Sequence, residues 1–415
     1  MAAPSLAESI DGDRLWSRIM ELARIGACED GGVDRPALSA AEIEARALLV
    51  DWGRELGLSP STDAVANLFL RYEGRDPALA PVMTGSHIDS QPTGGKFDGV
   101  FGVLAALEAV EALHGRGERP LRSIEIVAWT NEEGSRFSPG MSGSSLFTGA
   151  ASLEAVMAIQ DAEGIKLGDA AAEVLRQDHN IQQVPFGRKI AAFLEAHIEQ
   201  GPLLEKAGMP VGIVTGIQGT RRYRVRVKGE AAHAGTAERR DRRDALMAAI
   251  RMISAIDKSA SYPEDVKLTV GMLNVIPNAP SVVPSEVSFS IDLRHPDNSV
   301  VDRIDAEIRQ AVESHKGPCE SELRQIQHAP SLDFPESMRR VIAEAADRCS
   351  VPAMNVYSVA GHDARQLHYV CPTGMIFVPC RAGISHNPEE WVQPGDLLAG
   401  TRVLASALWH LANQG

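Results

Sequence analysis

Thr84 to Val103 reads TGSHIDSQPTGGKFDGVFGV, and this stretch decides the fold. A short apolar run from Pro81 ends in His87-x-Asp89, and a Gly94-Gly95 turn then leads to Asp98 at the start of a helical pattern. Strand, loop and helix in that order form the unit of an open α/β sheet, where ligand groups gather at the carboxyl ends of strands. His87 stands at such an end. Asp89 is placed to hold its imidazole from behind, as carboxylates do for metal-bound histidines. Taken alone, the segment also permits a plainer account, with Asp98 an N-cap and His87 a satisfied loop histidine.

Three further segments repeat the pattern. IEIVAWTNEEGSRF, Ile124 to Phe137, is a strongly apolar strand that stops at Asn131-Glu132-Glu133-Gly134. Adjacent carboxylates at a strand end point in different directions, so one can bind a metal while the other faces the bound water as a base. AAFLEAHIEQGPLLE, Ala191 to Glu205, delivers His197, Glu199 and Gln200 before a Gly-Pro break. MIFVPCRAGISHNPEEW, Met375 to Trp391, runs into Gly383 and His386. Each histidine alone has a structural explanation; four apolar strands that each end in His, Asp or Glu point to one convergent site.

Around these strands the chain alternates helix and strand: a helix over Ile43 to Leu56, then strands at Ala66 to Tyr72 and Ile124 to Trp129. That alternation predicts an α/β domain with a mixed, mostly parallel sheet flanked by helices. Residues 151–189 read as polar, Ala-rich helices outside the sheet. Near residue 217 the texture changes, because Tyr223, Val225 and Val227 alternate with Arg224, Arg226 and Lys228, the period of a half-buried strand. Helices at 241–257 and 300–315 and strands at 267–275, 286–294 and 320–325 complete β-α-β-β-α-β, the order of a ferredoxin-like α+β unit. The tail, with helices at 336–349 and 397–412 and a strand at 375–379, is too small for a core of its own. The predicted organisation is therefore a first domain of 1–216 and 329–415 with 217–328 inserted.

Bulk properties exclude some functions. At 415 residues two domains are the better expectation. A formal charge of -14 without a basic patch argues against nucleic-acid or anionic-membrane partners. The five cysteines are scattered and form no C-x-x-C pair, which fits a reducing compartment. The N-terminal stretch, residues 1–26, is charged and amphipathic and lacks the apolar core of a signal peptide, so the expected location is cytoplasmic.

The four segments together resemble the motifs of the M20-type metallohydrolases, in the branch of N-carbamoyl-L-amino-acid hydrolases, β-ureidopropionases and allantoate amidohydrolases. The resemblance runs over nearly the whole chain in the same order, the inserted domain included. It implies a zinc-exopeptidase-like catalytic domain and an inserted dimerisation or lid domain. It implies two divalent ions per subunit, with Asp98 bridging them, His87 and His197 on one, Glu133 and His386 on the other, and Glu132 as general base. Zn²⁺ is the favoured ion; Mn²⁺, Co²⁺ and Ni²⁺ suit the same donors. It further implies that Gln200, Asn278, Arg294 and Gly361 contact a small ureido-acid substrate. His233 matches a residue that reaches across a homodimer interface to the oxyanion. The wider family usually has a carboxylate where His197 stands, and the H-I-E-Q-G form favours carbamoyl hydrolysis over peptidases and aminoacylases. Allantoate or another ureido acid stays open as substrate. An aminoacylase, a dipeptidase and a non-catalytic binding protein are the weaker alternatives. His362 has no assigned role beyond a structural one, as a cap of the helix expected to begin near Asp363, and Gln91 stands where relatives more often have an apolar residue.

Overall fold

A computed structural model describes residues 6–178 and 180–414. The chain separates into two compact units, one made of the chain up to Thr215 and from Phe334 onward, the other Gly216–Asp333.

In the first unit the strands Ile124–Trp129, Val82–His87, Ala192–Ile198 and Thr373–Val378 lie side by side in that order, all parallel. Antiparallel strands extend the sheet on both sides, Leu68–Tyr72 and Ser59–Thr62 on one and Val211–Ile217 on the other. Every residue of the four parallel strands is buried. Such strands read as continuous apolar runs because helices cover both faces. One of those helices, Val100–Gly115, is apolar almost all round, because it lies between the sheet and the helix Pro394–Ala412. The Ala40–Glu55 helix starts at Ser39, whose hydroxyl accepts the Glu42 amide N–H, an ordinary N-cap. Its predicted start was three residues late.

The sequence reading needs three additions here. Residues 151–189 contain the helices Leu153–Met157 and Leu167–Gln177, but also a two-residue strand, Gln182–Gln183, that pairs with Ser61–Thr62 at the sheet edge. Two further strands, Ala353–Ser358 and Leu332–Asp333, pair with Val211–Ile217. The amphipathic N-terminal pattern is a helix over Gly12–Leu22 capped by the Asp11 carboxylate; residues 1–5 of that stretch lie outside the described residues.

The second unit carries its strands in the spatial order Glu320–Ala329, Gly219–Lys228, Glu286–His295, with Lys267–Thr269 and Leu273–Ile276 both on the far side of Glu286–His295. Numbered along the chain this is 4-1-3-2, the antiparallel ferredoxin-like order. Burial alternates residue by residue along Glu286–His295. The inward set, Val287, Phe289, Ile291 and Leu293 with Tyr223, Val225 and Val227, packs on the helices Ala245–Ser259 and Asn298–Ser314. The last strand runs four residues past its predicted end, because a register shift between Gln325 and Gln327 throws Ile326 outward and breaks the alternation that marks a strand in sequence.

Candidate metal centre and active site

The carboxyl ends of the four parallel strands bring the candidate side chains together. His87 is the last residue of its strand, His197 the next-to-last of its own, Glu132 and Glu133 follow Trp129, and His386 sits in the loop after Val378. Asp98 lies two residues before the helix that begins at Val100; the N-cap is Gly99, which makes no side-chain cap bond, so Asp98 is not spent on capping.

Gly99 itself is fixed by the site. Its φ is +67°, and a Cβ there would lie 2.4 Å from Nε2 of His87, so only glycine lets the helix start approach that ring. Asn131, Gln200 and His386 also have left-handed φ values, 56°, 54° and 53°, a concentration of backbone strain typical of functional loops.

Two triads share Asp98. In the inner one, His197 Nε2 is 3.1 Å and His87 Nε2 3.7 Å from Asp98 Oδ1, and all three residues are buried. In the outer one, His386 Nε2 is 3.2 Å from Asp98 Oδ2 and 3.5 Å from Glu133 Oε2. Glu132 faces the inner triad, with Oε2 3.7 Å from His87 Nε2. The backbone carbonyls of Asp89 and Ile198 lie 2.9 and 3.0 Å from Nδ1 of His87 and His197. Once such a ring has lost its Nε2 proton, an Nδ1–H donated to the carbonyl leaves the lone pair on Nε2, the tautomer a metal ligand needs.

Asp89 stands behind His87, with its carbonyl 2.9 Å and its carboxylate Oδ1 3.6 Å from Nδ1, so the carbonyl makes the closer contact. The carboxylate accepts the amide N–H groups of Glu132 and Glu133, each at 3.2 Å, and so fixes the turn that carries both.

Electrostatics fit a cation. Burial pushes the Glu132 carboxyl well above its usual range, with Asp363, Glu133 and Asp89 adding to it, and burial with Asp98 beside it lifts Glu133 to about 7. Burial pushes His87 down to about 4. Burial is the largest influence on His197 and opposes its charge, but the hydrogen bond and charge of Asp98 together with Glu195 and the Ile198 carbonyl outweigh it and leave the ring at about 9; His386 reaches about 9 chiefly through its own bond to Asp98. The recorded partners of Asp98, Glu132 and Glu133 are histidines, amides and a serine, with no lysine or arginine among the described residues. Clustered carboxylates and neutralisable imidazoles without a basic partner are the donor set of a divalent-ion site.

The remaining candidates have different surroundings. Gln200 lies in the cluster, donating its amide to Asp98 Oδ2 at 2.8 Å. Gly361 is exposed, with a Cβ position 2.6 Å from the tip of Met141. In the second unit, His233 is exposed on a short strand paired with Val282, Asn278 is exposed with φ 55°, and Arg294 binds Asp292 through Nε and Nη2 at 2.8 and 3.0 Å.

Five neighbours of the site have no part in it on the reading of the sequence. His362 is buried with its ring 4.5 Å from that of His197, and with Glu195 it forms a third group around that histidine. It does not cap the Ala364–Leu367 helix; Glu195 does so, accepting the Ala364 N–H. Ser385 and Glu390 bind around Asp98, and Gln91 donates to Glu133 Oε2 at 2.8 Å. Glu195 did carry a signal, since it is an acid inside the apolar run from Ala191 to Ile198, where it meets no solvent.

A sequence model of peptidase family M20/M25/M40 matches residues 83–410. An N-carbamoyl-L-amino acid amidohydrolase of Geobacillus stearothermophilus is 39% identical over 97% of this chain and 99% of its own length. An allantoate amidohydrolase of Bacillus subtilis strain 168 is 34% identical, over 94% and 95%. The crystal structure of an amidase of the hydantoinase/carbamoylase family from Burkholderia multivorans superposes with a TM-score of 0.87 at 40% identity, covering 98% of each chain.

Proposed function

The chain belongs to peptidase family M20/M25/M40, and from that premise we propose that it hydrolyses the carbamoyl C–N bond of N-carbamoyl-L-amino acids to the free amino acid, carbon dioxide and ammonia. The observation that carries this reading is His197, 3.1 Å from Asp98, at a position where the wider family usually holds a carboxylate. The full-length likeness to relatives named for the same reaction supports it.

His87, Asp98 and His197 would hold one divalent ion and Asp98, Glu133 and His386 a second, Zn²⁺ being favoured and Mn²⁺, Co²⁺ or Ni²⁺ compatible. When bound, such ions supply Lewis acidity and lower the pKa of a water toward neutrality. Glu132 would take the proton of a water that attacks the carbamoyl carbon. The same proton then goes to the leaving amine. His233, contributed by the second subunit of a homodimer formed through the inserted unit, donates to the oxyanion, a contact of roughly 3 to 4 kcal/mol. Arg294 binds the substrate carboxylate, and Gln200, Asn278 and Gly361 line the ureido end. In this reading residues 217–328 form an inserted dimerisation and lid domain on a catalytic domain of 1–216 and 329–415. No helix of the described residues is long and apolar enough to cross a membrane; a cytoplasmic location belongs to the same proposal.

The Bacillus subtilis relative supports allantoate as a second substrate reading. One panel separates the two: ammonia release, with a chelated control, from N-carbamoyl-L- and D-amino acids, N-carbamoyl-β-alanine, allantoate and ureidoglycolate, with free amine scored for N-acetyl and N-formyl amino acids. Chelator-sensitive turnover of the N-carbamoyl-L series is expected. Turnover of allantoate alone moves the chain to the second reading, and turnover of acyl substrates alone overturns both.

A further inference from the structure

Asp98 is common to both triads, and its two oxygens have different neighbours. Oδ1 faces the two inner histidines. Oδ2 accepts the Gln200 amide N–H at 2.8 Å and the Ser385 hydroxyl at 2.9 Å. His386 Nε2 lies 3.2 Å from the same oxygen, and an ionised carboxylate oxygen has about two lone-pair sites, so Oδ2 is already crowded. Gln91 adds an N–H on Glu133 Oε2, the second carboxylate oxygen of the outer triad. The inner triad carries one such competitor, the Gly99 N–H at 3.2 Å from His197 Nε2. Exposure runs the same way: His87 and His197 are buried, whereas the His386 side chain is 47% exposed.

Ser385 has a second acceptor in reach. Its hydroxyl has one proton and lies between Asp98 Oδ2 and Glu390 Oε2, at 2.9 and 3.0 Å. Glu390 is only 3% exposed, and its Oε1 is pinned by the amide N–H groups of Phe97 and Asp98 at 2.9 and 3.2 Å. Oε2 is thereby held in place to receive the hydroxyl whenever Asp98 releases it. Gln200 shows the matching feature, since its Oε1 is buried without a hydrogen-bond partner.

We propose that the two halves of the centre load unequally, the inner half first, and that a Gln200–Ser385–Glu390 relay gates the outer half. A cation arriving at Asp98 Oδ2 displaces two donors: Ser385 turns its hydroxyl to Glu390, and the Gln200 amide leaves Asp98. That amide is then free for the ureido group, so substrate recognition through Gln200 depends on the outer cation, a coupling of two binding events through one side chain. Ser385 and Glu390 are positioning residues in this scheme. The inference rests on the reading that both triads hold divalent cations.

Co²⁺ titration of the metal-stripped full-length protein tests it, with bound ion counted after dialysis and the visible absorption followed in parallel. The wild type should bind two ions, the second about tenfold or more weakly. Ser385→Ala removes a competitor and should narrow the gap severalfold. Glu390→Gln keeps an acceptor for the two amides but offers an NH₂ in place of Oε2, so it should widen the gap about tenfold. Opposite signs are the diagnostic, because a merely structural disturbance weakens binding in both variants; melting temperatures near wild type exclude unfolding. Equal affinities in the wild type, or both variants shifting in one direction, overturn this inference alone. Failure to bind any ion overturns the reading of the site, and this inference with it.

Discussion

The strands that end at the candidate metal centre and the strands of the second unit handle polar residues in opposite ways. Val82–His87, Ile124–Trp129, Ala192–Ile198 and Thr373–Val378 are buried along their whole length, so a polar side chain there must be paired inside or sit at the strand end. Glu125 is of the first kind, bound to Arg188 at 2.8 Å; His87 and His197 are of the second. Glu286–His295 has one buried face and one open face, and Glu286, Asp292 and Arg294 find charged partners on the open side. Arg294 is such a case, already engaged by Asp292. The difference teaches that His, Asp or Glu at the end of a fully buried strand is strong evidence of a site, while an arginine on a half-buried strand needs a ligand to prove its role.

The largest expected effect lies on the buried side of that comparison. Glu132→Gln should keep the bound metal and lower kcat by about a thousandfold or more, within the range for loss of a general base. Near wild-type turnover would remove Glu132 from the chemistry and leave a buried acid without a purpose.

On the open side, Arg294→Met should raise KM roughly 10- to 100-fold, the value of a charge-assisted hydrogen bond of about 1.5–3 kcal/mol. Asp292→Asn sharpens the point, because it loosens the guanidinium from its present partner. If KM then falls or holds, Arg294 serves the substrate; if KM rises as far as in the Arg294 variant, Asp292 is needed to aim it.

Metal uptake should depend on pH with a fixed sign. Ligands bind only when deprotonated, and His197 and His386 both hold protons up to about 9 through Asp98. Apparent affinity should therefore climb as pH rises from 7 toward 9, by about tenfold per unit for each proton displaced, and flatten above it. Isothermal titration at three pH values checks this, and a flat response would mean that these rings are neutral before the ion arrives. A smaller effect concerns His233: mixed Glu132→Gln and His233→Ala chains should regain roughly a quarter of wild-type activity through hybrid dimers. No recovery would place His233 in its own subunit's site or outside catalysis.

Much of this was legible in the sequence, for reasons tied to particular residues. The four ligand-bearing segments could be read because each buried strand stops abruptly, and the inserted unit because Tyr223, Val225 and Val227 alternate with basic residues. The bulge at Ile326 hid the end of one strand, since an outward apolar residue breaks the period by which strands are recognised. Short edge strands such as Gln182–Gln183 escaped because two residues have no period at all. The part played by Asp89 could be placed but not specified: sequence puts a carboxylate behind His87, and only coordinates show that the carbonyl holds the ring while the carboxylate holds the Glu132–Glu133 turn. Ser385 and Glu390 were inside a segment already singled out, yet their bonds to Asp98 span more than 280 residues of chain, a relation that no local pattern encodes.

The central claim is that hydrolysis of a ureido bond depends on divalent ions held at the strand ends. Ammonia release from an N-carbamoyl-L-amino acid, measured on one preparation as isolated, after chelation and after stepwise return of Zn²⁺ or Mn²⁺, with bound ion counted at each step, addresses it directly. The account predicts that activity disappears with the ions and returns with them. Undiminished turnover in protein shown to be metal-free would contradict it.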